Sequence, residues 1–315
     1  ENEGFEIAGM VSNGKEALLT DAEQYAPDND NSDRTKMTKT VAQAMLAKVY
    51  AEKEVQDYDK VIAYADKVMN TTGVELEDSY ETLWGYDETA KDCMKRNTKE
   101  GILEVHWTTG SGNWETWMYG RQLDNWDYYF TWAKWITPSR DIINDFDKEG
   151  DEVRKNQAIV YYACTWSNYY PASNYPFMYK LRSSYNNIYW VRLADIILMK
   201  AEAEAYKGNL AESAKLVNQI RKRAKLKELT SDKTGSKESM IEAVLHERRL
   251  ELAFEGERWF DLCRNNKVEQ YLNGIDNRDS GRIRQVRQFD SNSYLLPIPQ
   301  TALDQNTNLE QNPGY

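Results

Sequence analysis

The sequence predicts a mainly α-helical scaffold that carries long irregular, aromatic-rich insertions, and three observations predict it. Residues 39–70 and 193–225 each hold two runs of apolar residues at three-and-four spacing joined by a short break, the pattern of a helical hairpin. Between them, residues 78–191 lose that period and collect tryptophan and tyrosine. Towards the C-terminal end, His246–Arg264 continues an amphipathic helix whose apolar stripe turns into a dense run of arginines and acids.

The totals bound the function. At 315 residues the chain buries a large core and is read as a single domain over 1–315. Forty basic against 51 acidic residues give a net charge of −11, with no lysine-arginine block, so nucleic acid and anionic lipid surfaces are poor partners. Ten tryptophans, 21 tyrosines and seven phenylalanines are many for a chain of low mean hydropathy, and suit polar ligands with flat apolar faces. Cys93, Cys164 and Cys263 are odd in number and far apart, so neither a disulfide framework nor a zinc site is written, and no cofactor is expected. His106 and His246 are the two histidines and neither sits in a motif. No run reaches the ~20 apolar residues of a membrane span, and no leader pattern opens the chain.

Residues 1–38 form a polar N-terminal segment broken by Gly4, Gly9, Gly14 and Pro27, with a helix expected over 15–25. The loop Pro27–Asp33 has oxygens of the kind that hold calcium, but lacks the glycine and closing glutamate of a helix-loop-helix calcium site, so a solvated turn is expected. The first hairpin, 39–70, runs Val41, Ala44, Met45, Lys48, Val49, then Tyr58, Val61, Ile62, Ala65, Val68, Met69. The second, 193–225, runs Leu193, Ile196, Ile197, Lys200, Ala201, Glu204, Ala205, then past Gly208-Asn209 to Leu210, Ala214, Val217, Ile220 and Ala224. Both have the size and alanine-rich interior of a tetratricopeptide-like unit, but over a hundred residues separate them, so a scaffold with a long insertion is expected.

Within the insertion, Ile102–Trp107 alternates as a strand would. Six tryptophans then fall between Trp107 and Trp135, with Gly110, Gly112 and Gly120 among them. This is the ligand-site candidate of the chain. A sugar ring offers a C–H face that packs on an indole or phenol, and hydroxyls that need planar hydrogen-bonding groups. Trp114, Trp117, Tyr119 and Trp126 supply the rings, with Arg121 and Asp124 between them. The competing reading makes each of these rings core. Thr137-Pro138-Ser139 reads as a helix start with proline inside the first turn, and Gly150–Arg154 as its end with an Asp-to-Arg ion pair. Residues 165–191 are a second aromatic stretch, with Tyr169 and Tyr170 its site candidates, read either as the opposite wall of a groove or as cover for the second hairpin. Residues 236–315 hold the charged run, a connection over 265–293 expected to be solvated, and Leu295–Pro299, which its prolines keep extended.

In the charged run, opposite charges stand three apart at Arg248/Glu251, Glu255/Arg258, Arg258/Asp261 and Asp261/Arg264, the spacing that pairs side chains on a helix. A packed, partly buried ionic network is expected. Glu251 and Glu255 also stand at a spacing that invites comparison with the carboxyl pair of a retaining glycosidase. The four arginines of the same stretch oppose that reading, because they hold carboxylates ionised where a general acid needs a raised pKa.

Glu247–Leu262, as Glu-Arg-Arg-x-Glu-x-x-x-Glu-Gly-x-Arg-Trp-Phe-Asp-Leu, resembles the C-terminal signature of the SusD/RagB family of outer-membrane nutrient-binding lipoproteins. Arg192–Ala203, Thr137–Arg154 and Leu296–Tyr315 resemble segments of that family in the same order. The resemblance implies a non-catalytic, surface-exposed, lipid-anchored protein of a Bacteroidota-type outer membrane, serving polysaccharide utilisation. Such a protein captures oligosaccharides and delivers them to a SusC-like TonB-dependent transporter. It also implies an N-terminal region that residues 1–38 are too short to hold, so the chain reads as a processed product or a shortened member. Peptide capture within the family, a glycoside hydrolase, and a helical protein-interaction scaffold are the alternatives.

Overall fold

The computed structural model of the protein describes residues 16–107, 120, 123, 137–165, 169–279 and 288–315. Helix α1 (16–25) leads into the Asn/Asp loop, which closes around an arginine. Arg34 donates to Asn29 Oδ1 at 2.5 Å, Asn31 Oδ1 at 2.9 Å and the Gly73 carbonyl at 2.7 Å, while Asp30 accepts from Ser32 and Lys36. The oxygens that resemble cation ligands are thus spent on protein donors.

Helices α2 (Lys39–Ala51) and α3 (Tyr58–Met69) form the first hairpin, their N-termini capped by the side chains of Thr38 and Asp57. Next come α4 (Tyr80–Trp84), the short ladder of β1 (Tyr86–Asp87) with β2 (Asp92–Cys93), then β3 (Gly101–Val105), α5 (Arg140–Glu149), α6 (Glu152–Ala158), β4 (Ile159–Tyr162), β5 (Tyr175–Met178) and β6 (Ile188–Arg192). The second hairpin is α7 (Leu193–Tyr206) with α8 (Leu210–Arg223). After it run α9 (Ser231–Thr234), α10 (Lys237–Glu251), α11 (Arg258–Arg264), α12 (Val268–Leu272), α13 (Ile275–Arg278) and α14 (Gln300–Gln305). No helix among the described residues is long and apolar enough to cross a membrane.

The two hairpins, distant in sequence, share one core. Helix α7 packs against α2, α3, α8 and α10, and every residue from Leu193 to Ala205 is buried. An apolar stripe alone does not account for a helix enclosed on all sides. Its polar residues survive burial because each is tied to a different neighbour: Asp195 to Arg248 of α10 at 2.7 Å and Lys48 of α2 at 2.8 Å, Lys200 to Asp66 of α3 at 2.6 Å, and Glu202 to Arg264 of α11 by two bonds of 2.7 Å. The apolar part of the core comes from both hairpins and α10 together, including Val41, Ala65, Ile196, Ile197, Val217 and Val244.

Two antiparallel strand pairs sit beside the bundle, β3 with β6 and β4 with β5. Strand β3 matches the expected strand, but all of Gly101–Glu104 is buried, not alternate residues. Glu104 is tolerated inside because it accepts from Thr98 N and Oγ1 at 2.9 and 2.8 Å and shares a 2.7 Å contact with His106 Nε2.

Three expectations need correction. Helix α5 begins at Arg140 with Ser139 as its cap, so Pro138 precedes the cap instead of occupying the first turn. The charged run is two helices: α10 stops at Glu251, and a turn with Phe254 at φ 67° and Gly256 at φ 89° leads into α11. That break puts Glu255 and Arg258 on different elements, while Arg248 and Glu251 are taken by partners on other elements; of the four expected pairs only Asp261–Arg264 forms, at 2.7 Å. Residues 265–279 are packed, not a solvated connection: Val268 and Asp279 are buried, and Asp279 accepts from the Arg140 backbone at 3.2 Å. In the stretch 165–191, which the sequence left between groove wall and cover, four of the eight described rings, Tyr170, Tyr175, Phe177 and Tyr189, are buried, whereas Trp190 is 61% exposed. At the C-terminal end, Gln311 bonds both the N–H and the carbonyl of Ile298, holding Leu295–Pro299 extended as expected.

Candidate functional site

Of the eight predicted site residues, Trp114, Trp117, Tyr119, Arg121, Asp124 and Trp126 lie outside the described residues. Their neighbours Gly120 and Leu123 are described, and they show where the segment attaches. Gly120 bridges to Met178 at the end of β5, and the Leu123 N–H donates to the Arg182 carbonyl at 2.8 Å. A Cβ on Gly120 would stand 1.9 Å from the Leu181 carbonyl oxygen, so only glycine lets the chain approach this closely. At the other end, Arg96 donates to the Trp107 carbonyl at 2.9 Å while paired with Asp92. The described residues of the expected aromatic segment are thus attached at Met178 and Arg182 at one point and at Arg96 at another.

Tyr169 and Tyr170 are brought together, ring centroids 4.6 Å apart and edge to face. Arg140 lies over both, at 4.3 and 4.2 Å, and its Nη2 donates to the Tyr169 carbonyl at 2.7 Å. Tyr170 is a buried member of a cluster with Cys164, Tyr175 and Phe177, and its hydroxyl donates to the Pro138 carbonyl at 2.8 Å. Its faces are occupied by protein, which is a packing role. Tyr169 is half-buried beside it; burial, reinforced by the Asp279 carboxylate, pushes its hydroxyl up to about 12.

The residues once open to a hydrolytic reading form an ionic hub. Buried Glu251 accepts from Arg192 Nη1 at 2.7 Å, Arg154 Nη1 at 3.2 Å and Arg223. Glu255 accepts from Lys180 at 2.6 Å and Arg192 Nε at 2.7 Å. Asp151 pairs with Arg154, as expected of the Gly150–Arg154 segment, and Glu247 joins Arg154 at 2.7 Å to Arg221 at 2.9 Å. Burial opposes ionisation of Glu251, but the three guanidiniums win and hold its carboxyl well below the ordinary carboxylate range. A proton donor needs the opposite shift. Lys180 is pushed down to about 8 by burial, despite Glu255.

A second feature comes from residues that the sequence did not group. The Thr137–Ser139 stretch, the turn after α10 and the start of α11 enclose a cleft of about 340 Å³, with Ile142, Leu252 and Phe254 on its apolar walls and Arg249, Arg258 and Trp259 among its polar and aromatic ones. Arg258 and Trp259 stood in the charged run, but nothing in local spacing says that Thr137 and Trp259 meet. No cluster of three or more metal-ligating side chains occurs among the described residues.

Comparisons with known proteins agree with this architecture. The SusD family profile matches residues 99–315, more than half of the chain. SusD-like protein P2 of Formosa agariphila is 27% identical over the whole of this chain and 65% of its own length. SusD-like protein P38 of the same organism is 36% identical over 41% of this chain and 25% of its own length. The chain thus spans only part of either relative. Among solved structures, a SusD homolog from Bacteroides thetaiotaomicron superposes with a TM-score of 0.73 at 21% identity, covering 95% of this chain and 69% of that one. Surface glycan-binding protein A of the same organism superposes with a TM-score of 0.71 at 17% identity, covering 95% and 70%. The helical fold is shared, and with the family profile spanning both the hub and the C-terminal signature, the chain belongs to the SusD family.

Proposed function

We propose that the protein captures oligosaccharides by ring stacking and hydrogen bonding, without altering them, and hands them to a SusC-like TonB-dependent transporter from a lipid-anchored position on the outer face of the outer membrane. The observation that carries the binding reading is the attachment of Gly120 and Leu123, within the Trp/Tyr-rich segment, to Met178 at the end of β5 and to Arg182 just after it. The ionic state of Glu251 supports binding over hydrolysis. Relatives named as SusD-like, and a structural neighbour named as a surface glycan-binding protein, support the same reading.

The test is affinity electrophoresis of the protein in gels containing single polysaccharides, with a reducing-sugar assay on the same mixtures. Retention by at least one glycan, its loss in Trp117→Ala and Trp126→Ala, and no release of reducing ends are expected. If no glycan in a broad panel retards the protein, or if sugar is released and Glu251→Gln stops it, the proposal fails.

A further inference from the structure

The cleft beside the start of α11 has the wrong charge for an acidic protein. Four charged residues line it, Arg248, Arg249, Arg258 and Asp261, in a chain of net charge −11. Three of these are committed. Arg248 is bound to Asp195 and Asp261, and Arg249 to Asp145 and to Asp141 at 2.7 Å. Asp261 also holds Arg264 at 2.7 Å. The other nearby carboxylate, Glu257, is taken by Lys48 at 2.8 Å.

Arg258 is left over. Its Nη1 donates to the Leu245 carbonyl at 3.0 Å and its guanidinium lies 4.7 Å from the Tyr271 ring centre, but it makes no ion pair among the described residues. A partly buried cation without a counter-ion is costly unless something else supplies the charge. Burial, with Arg249 nearby, pulls the group down to about 10 against the attraction of Asp261. Trp259 follows it in the lining, supported by Phe289 at 5.8 Å, and Ile142, Leu252 and Phe254 complete apolar walls. A guanidinium fork matches a carboxylate bidentately, and an indole matches the flat face of a ring. At about 340 Å³ the cleft is at the small end of ligand pockets, of a size for a single unit more than for a long chain.

We propose that this cleft is a subsite for an acidic sugar unit, with Arg258 binding the carboxylate of a uronic acid and Trp259 packing on its ring. The inference rests on the glycan-capture reading for its biological context, but its chemistry is separable. Titration calorimetry is run with glucuronic acid and glucose as monosaccharides, and with a uronate-containing and a neutral oligosaccharide of equal length. The wild type is expected to bind glucuronic acid over glucose by tenfold or more, a preference that shrinks as salt rises. Arg258→Gln, checked to be folded by circular dichroism, should abolish that preference, and Arg258→Lys should keep part of it. Equal binding of the two monosaccharides, or a preference unchanged in Arg258→Gln, overturns the proposal. If glucuronic acid binds through Arg258 but neither oligosaccharide is retained, the subsite stands and the glycan-capture reading falls. If the neutral oligosaccharide binds and glucuronic acid does not, the reverse holds.

Discussion

Glu251→Gln tests the claim that the hub is structural. The substitution keeps the volume and one acceptor oxygen but removes the charge shared by Arg154, Arg192 and Arg223 and presents an N–H₂ to guanidiniums. All four side chains are almost fully buried, so water cannot take over. Removing one partner of a buried pair costs about 3–5 kcal/mol. At about 2 °C per kcal/mol for a chain of this length, the melting temperature should fall by roughly 6–10 °C in differential scanning calorimetry. Glu212→Gln is the control: its partner Lys215 is exposed, and the pair is worth less than about 1 kcal/mol. The pH dependence has a definite sign. Glu251 is held below its ordinary value of 4.5 in the fold, so its contribution is complete above that value and drains away as pH falls through the folded-state pKa. The gap between wild type and variant should therefore be constant near neutrality and narrow below about pH 4.5. A fall of less than about 2 °C at pH 7, or a gap that widens in acid, would refute the reasoning.

Two further outcomes separate rings that bind from rings that pack. In Gly120→Ala a Cβ meets the Leu181 carbonyl oxygen, so the bridge to Met178 must open; glycan affinity should drop at least tenfold, about 1.4 kcal/mol, while circular dichroism of the helices is unchanged. In Tyr170→Phe the buried Pro138 carbonyl loses its 2.8 Å donor, which should cost about 1–3 kcal/mol in urea unfolding and leave glycan affinity as it was.

The helices were legible because their signals are local. Alanine-rich three-and-four stripes gave α2, α3, α7 and α8, and Gly150 with φ 67° ends α5 where the sequence ends it. What was illegible depends on meetings between distant segments. Glu251 finds its partners on β6, α6 and α8, so counting charges along its own helix found a network but assigned the wrong pairs. The break after Glu251 is carried by Phe254 in a left-handed conformation, which no residue preference announces, although Gly256 two positions on was a cue. Tyr170 illustrates the limit for sites: its composition is that of a ligand platform, and only the packing of Tyr175 and Phe177 against it shows that it is core.

The hub also bears on how Gly120 and Leu123 are held against the helical frame. On the stretch that leaves β5, Met178 bridges to Gly120 and the Arg182 carbonyl accepts from Leu123, while Lys180 between them reaches Glu255 at 2.6 Å and the Glu251 carbonyl at 3.1 Å. The grips on Gly120 and Leu123 are made by backbone groups, which leaves the Lys180 side chain between them free to be locked into the core. Lys180 is almost wholly buried between Glu255 and the rings of Tyr80 and Trp84, which fixes the position of the stretch against sliding. An apolar residue there would pack as well but would tolerate a shift of register; an ammonium that must meet one carboxylate does not. The ion pairs thus do for the stretch after β5 what apolar packing does for the helices, and they do it at a point where the chain has no regular structure of its own to rely on.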